Sequence, residues 1–108
     1  MAIIRQKYEG QLDDLIKELR RLGLRVYSNV NNAIESLSED DRNFARHVIE
    51  KDKEINKFDY DINEQVIMLI TKQQPIATDL RMMIAALKIS TDFERMGDNA
   101  ANMAHIRL

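Results

Sequence analysis

Glu94 and Asp98 are acidic residues four positions apart in a helix-like stretch, Asp92-Phe93-Glu94-Arg95-Met96-Gly97-Asp98-Asn99. On a helix such a pair shares one face, with Cβ atoms about 5–6 Å apart. Carboxylates held that close repel each other, and the cost grows where water is excluded. A cation between them removes that cost. Hard cations take carboxylate and amide oxygens, with water completing the shell. The chain offers two helical runs of such oxygens: Glu94, Asp98 and Asn102 in one segment, and Asp52, Asn56 and Asp59 in another. These six are the candidate metal ligands, and oxygen donors of this kind accept Mg²⁺, Ca²⁺, Mn²⁺ or iron. The alternative is a structural or adaptor helical bundle without bound metal, both polar stripes facing water.

Other residues in the same stretches have weaker chemistry. Gly97, in a helix interior, costs about 1 kcal/mol relative to alanine. Close approach of another backbone or of a ligand explains it, and so does plain tolerance. Arg95 is expected to form an ion pair. Asp79 stands where an acid complements the helix dipole. His47 and His105 are single histidines without ligand-like partners, and the internal methionines read as core filler.

Catalysis is not expected. Di-iron carboxylate bundles need a Glu-x-x-His pair, and no glutamate here is followed three residues later by histidine. A mutase for a dianionic substrate needs inward basic residues, whereas the interrupted seam is acidic. No phosphate-cradling glycine loop and no nucleophile beside a base is present.

Three helical segments must position the candidate ligands, at about 4–37, 41–72 and 76–107. The first carries a seam of Tyr8, Leu12, Leu15, Leu19, Leu22, Val26, Val30, Ala33 and Leu37, in steps of three and four. Ser38-Glu39-Asp40-Asp41 breaks it, with Ser38 or Asp40 as the expected cap of the next helix. The second seam, Phe44, Val48, Ile55, Phe58, Ile62, Val66 and Leu69, lacks one apolar step, and Asp52 occupies it. Gln73-Gln74-Pro75 ends that helix, since a proline holds its predecessor extended, and Pro75 suits the first turn of the third.

The third segment reads as two stripes. One is Leu80, Met83, Leu87, Thr91, Glu94, Asp98, Ala101 and His105; the other is Met82, Ala86, Ile89, Phe93, Met96, Ala100 and Met103. The first stripe puts Glu94 and Asp98 where a bundle expects apolar residues. Short connections predict an all-α, antiparallel up-down-up three-helix bundle formed by residues 1–108 as a single domain. In it, the polar stripes of helices two and three meet at a similar height.

Composition narrows the function classes. A net charge of −2 argues against nucleic-acid binding, which needs clustered basic side chains. No apolar run approaches the roughly 20 residues that span a bilayer, so no membrane insertion is expected, and no secretory signal is apparent. Absence of cysteine removes disulfides and thiolate metal sites and fits a reducing compartment. The expected location is cytoplasmic.

Gln74-Pro75-Ile76-Ala77-Thr78-Asp79-Leu80-Arg81, then Ala86-Leu87-Lys88-Ile89, then Phe93-Glu94-Arg95-Met96-Gly97-Asp98-Asn99-Ala100-Ala101-Asn102 resemble the PhoU family in sequence and spacing. Asp52-Lys53-Glu54-Ile55-Asn56 resembles the acidic second helix of that family. The resemblance covers essentially the whole chain as one PhoU repeat. It implies a negative regulator of the phosphate ABC transporter and of the phosphate-sensing histidine kinase, with the transporter's ATPase subunit and the kinase as partners. It also implies that a Glu/Asp-x-x-x-Asp motif, matched by Glu94 and Asp98, binds metal, as multinuclear iron or zinc clusters. Asp52, Asn56 and Asp59 match the family less closely, with Asn56 where aspartate is common.

PhoU proteins usually carry two tandem repeats, and here there is one. Either the sequence is half of a longer arrangement, or two copies pair to rebuild it. The apolar second face of the third helix favours pairing, so a homodimer or higher oligomer is expected.

Overall fold

A computed structural model describes residues 2–108, with side chains from Arg5 onward. It contains three helices, α1 (Ala2–Ser38), α2 (Arg42–Gln73) and α3 (Ala77–Arg107), packed pairwise into a rod 58 × 19 × 16 Å. Asn29 meets Val48 and Asp59 meets Ser90, so α2 runs antiparallel to both neighbours. Tyr8 meets Asp79 and Ser36 meets Arg107, so α1 and α3 are parallel. This is the all-α up-down-up bundle that the seams predict.

The corners are built differently from expectation. Asp41, not Ser38 or Asp40, caps α2: its side chain accepts the Phe44 N–H at 3.0 Å. Asp40 cannot serve, because its φ of 54° is left-handed, while an N-cap residue takes an extended backbone. At the second corner Gln74 is left-handed rather than extended (φ 44°), and its N–H bonds back to the Ile70 carbonyl. Such a C-terminal residue satisfies an otherwise orphaned carbonyl. Pro75 lies outside α3, whose N-cap is Ile76.

Leu15, Leu22 and Val26 of α1 close on Ile55, Ile62, Val66 and Leu69 of α2 and on Met83 and Ala86 of α3. A smaller cluster of Ala33, Ala45, Val48, Ala100 and Ala104 fills the other end. The seams of α1 and α2 are therefore where periodicity puts them. That of α3 is not. Its buried line runs Met83, Ala86, Ser90, Gly97, Ala100, Ala101 and Ala104, between the two stripes read from hydropathy. Small residues let the neighbouring helices approach closely there. Glu94 consequently flanks the seam, half-buried, and Asp98 is exposed beyond it. The second stripe is split as well: Ala86 and Ala100 are buried, whereas Ile89 and Met96 are exposed.

Two ties fix the ends of α3 to α1. Tyr8 donates its hydroxyl to Asp79 Oδ2 at 2.9 Å, so Asp79 does more than face the helix dipole. Arg107 donates to the Ser36 and Leu37 carbonyls in the last turn of α1, where Ser36 O also accepts the Asp41 N–H, and pairs with Asp40 at 2.8 Å.

Candidate functional site

Four of the six candidate ligands, Asp52, Asp59, Glu94 and Asp98, lie along the groove between α2 and α3. Helical steps place Asp52, Asp59 and the intervening Asn56 on the side of α2 that meets α3. Asp59 is held firmly. Ser90 Oγ donates to its Oδ1 at 2.5 Å and Asn63 Nδ2 donates to the same oxygen at 3.1 Å. Asp52, two helical turns further toward the α1–α2 corner, is half-buried, and its Oδ1 is fully buried without any hydrogen-bond donor. Gly97 is why that carboxylate fits. A Cβ at position 97 would stand 2.9 Å from Asp52 Oδ1 and 3.0 Å from Ile55 Cγ2.

Glu94 sits between these two acids along the groove. Burial pushes its carboxyl up to about 7, and the Asp98 carboxylate adds to the effect, followed by Asp59 and Asp52. Asp52 is raised by burial first and then by Asp98. None of Asp52, Asp59, Glu94 and Asp98 has an ion-pair partner among the described residues. Glu94 thus stands within electrostatic reach of the other three acids, and none of the four is compensated by an ion pair among the described residues. Asn56 and Asn102 are exposed, and no hydrogen bond among the described residues ties them to the four acids. Arg95 is exposed and forms no ion pair among those residues either.

These residues suit a hard cation in their chemistry. A cation supplies what the buried Asp52 Oδ1 lacks and offsets the burial and the neighbouring charge that raise the Glu94 carboxyl. Among the described residues, however, no three acidic or histidine side chains converge on one point as ligands. Ser90 and Asn63 orient Asp59 and lay outside the candidate set. Ser90 stands one turn before Glu94, and Asn63 continues the helical steps of Asp52, Asn56 and Asp59 along α2.

A family profile for the PhoU domain matches residues 19–106. Among reviewed relatives, the chain is 40% identical over 101 residues to a phosphate-specific transport system accessory protein PhoU homolog from Clostridium acetobutylicum, covering 93% of this chain and 46% of that protein. A homolog of the same description from Pseudomonas aeruginosa is 35% identical, over 94% of this chain and 42% of its own length. The phosphate-specific transport system accessory protein PhoU of Escherichia coli is 30% identical over the same shares of the two chains. The chain spans less than half the length of the relatives it matches.

Proposed function

Because the chain belongs to the PhoU family, we propose that it is a metal-binding regulatory protein of phosphate uptake, acting by protein contact rather than catalysis. The observation that carries the metal assignment is the α2–α3 groove. There Asp52 Oδ1 is buried without a donor, and the Glu94 carboxyl is driven up to about 7 by burial and three neighbouring acids. Glu94, Asp98 and Asp52 would hold the ion, with Asp59 on the flank fixed by Ser90 and Asn63. Asn56 and Asn102 would enter the shell through water. A bound iron or zinc ion supplies the positive charge that lets all four carboxylates ionise together; Mg²⁺, Mn²⁺ or Ca²⁺ supplies the same.

The regulated partners, by this reading, are the ATPase subunit of the phosphate ABC transporter and the phosphate-sensing histidine kinase, both damped when phosphate is plentiful. The relatives' description as accessory proteins of phosphate-specific transport supports it. No helix among the described residues is long and apolar enough to cross a membrane, which suits a partner in the cytoplasm.

The protein also pairs with itself. Phe93 packs on Gly23, which places the side of α3 carrying Ile89 and Met96 along the α1–α3 groove. Tyr27 and Ile34 of α1 border that groove by helical spacing, and all four are exposed. A second copy covering this face buries a continuous apolar surface.

Metal content of the purified protein, together with thermal melts in added iron, zinc or manganese, tests the metal assignment. Bound metal and a raised Tm are expected, both lost in Glu94→Gln/Asp98→Asn while the helices persist. Metal-free protein whose Tm no cation changes leaves the adaptor reading in its place.

A further inference from the structure

On the opposite side of α2, helical spacing lines up a second polar face that neither the seams nor the acidic groove uses. Arg25, Ser28, Asn29 and Asn32 of α1 confront Lys51 and Glu54 of α2 across a cleft of about 190 Å³. Its floor is Asn29, only 3% exposed. Asn29 Nδ2 donates to the Val48 carbonyl at 3.0 Å, while its Oδ1 is buried with no donor. The amide cannot turn over to relieve this, because its oxygen would then oppose the Val48 carbonyl. A buried acceptor left unpaired costs about 1–3 kcal/mol.

The rim carries the complementary charge. Arg25 and Lys51 both reach Glu54, at 3.2 and 3.4 Å, and all three side chains are about half exposed. Exposed pairs of this kind contribute only about 0–1 kcal/mol. An incoming anion therefore displaces Glu54 from the two cations at little cost. The Ser28 hydroxyl and the Asn32 amide stand at the mouth as further donors.

We propose that the α1–α2 cleft above Asn29 binds a small free oxyanion that carries its own hydroxyl, hydrogenphosphate being the fitting case. Arg25 and Lys51 take the charged oxygens, and the anion's O–H donates to Asn29 Oδ1. Fully deprotonated oxyanions bring acceptors only and leave that atom unpaired. The cleft thus selects hydrogenphosphate over sulfate, two ions of similar size and shape. This site is separate from the α2–α3 acids, so either assignment can fail without the other.

Calorimetric titration at pH 7 with inorganic phosphate, sulfate and phosphoethanolamine, at matched ionic strength with chelator present, tests it. Phosphate is expected to bind, with sulfate weaker by about tenfold or more, the equivalent of one lost hydrogen bond to a charged group. Lys51→Met weakens phosphate by a similar factor. Glu54→Gln strengthens it, because the competing carboxylate is gone. Glu94→Gln/Asp98→Asn leaves it unchanged. Equal binding of phosphate and sulfate, or a Glu54→Gln protein that binds phosphate no better than wild type, overturns the proposal. Phosphoethanolamine binding as well as the free ion overturns the assignment to a free anion.

Discussion

Asp52 and Gly97 are made for each other: the buried Oδ1 of the acid occupies the space that a Cβ at position 97 would take, 2.9 Å away. Gly97→Ala gains about 1 kcal/mol of helix propensity and loses a comparable amount through crowding against Asp52 and Ile55. The expected outcome is metal-free stability within about 1 kcal/mol of wild type, combined with loss of the metal-induced rise in Tm. Denaturant titrations with and without cation read both quantities. A variant that keeps the full metal response shows that the Asp52 carboxylate is not a ligand.

The Glu94 carboxyl gives a pH dependence of definite sign. Its pKa is raised on folding, so the folded chain holds a proton that the unfolded chain has released. Its contribution is therefore fully present below the ordinary glutamate value of 4.5 and is lost as pH rises to about 7. Metal-free protein should lose stability between pH 5 and 7.5, and Glu94→Gln should flatten that slope. Saturating cation should reverse it, since metal and proton compete for the carboxylate. Melts across this window, in chelator and in metal, settle the point.

Gly10 and Gly23 sit on the same helix and should respond oppositely to alanine. Nothing lies within 4 Å of a Cβ built at Gly10, whereas one built at Gly23 meets the Phe93 ring at 2.9 Å. Gly10→Ala should stabilise by roughly 0.5–1 kcal/mol. Gly23→Ala should destabilise by about 1 kcal/mol net, because a packed ring yields less readily than a flexible chain end. Urea midpoints of the two variants decide it; equal shifts would mean that Phe93 does not press on α1.

Arg107 should matter far more through the carbonyls it satisfies than through its ion pair. Asp40 is 78% exposed, so Asp40→Asn is expected to cost less than about 1 kcal/mol. Arg107→Met strips the Leu37 carbonyl of its donor at the end of α1, while Ser36 O keeps the Asp41 N–H, at an expected cost of about 1–3 kcal/mol. The ranking reverses if the ion pair is the anchor.

Self-pairing through the α1–α3 face predicts that Met96→Glu, which places a charge at its centre, yields a folded monomer. Sedimentation of wild type and variant at matched concentration compares them. A wild type that is already monomeric at micromolar concentrations removes the paired state.

Three helices, their order and the seams of α1 and α2 were legible because Leu, Val and Ile recur there at helical steps. The core line of α3 was not. Ser90, Gly97, Ala100, Ala101 and Ala104 are buried because they are small, not because they are apolar, and hydropathy registers the second property rather than the first. That is why Glu94 and Asp98 seemed to interrupt a core when they border one. Asn29 was unreadable for a related reason: its burial depends on a carbonyl of another helix, Val48 O, which no local pattern announces. Corner chemistry failed one position at a time. Asp40 and Asp41 are the same residue type, and only the backbone angle of Asp40 tells which of them caps α2.

The two ties between α1 and α3 join residues separated by the same distance along the chain, 71 positions from Tyr8 to Asp79 and 71 from Ser36 to Arg107. Parallel rods pinned in phase at both extremities form a frame that resists sliding. A displacement of one turn would break both pins together and gain neither. Strain applied by a partner at one tip is thus transmitted as a shared roll or bend of the pair.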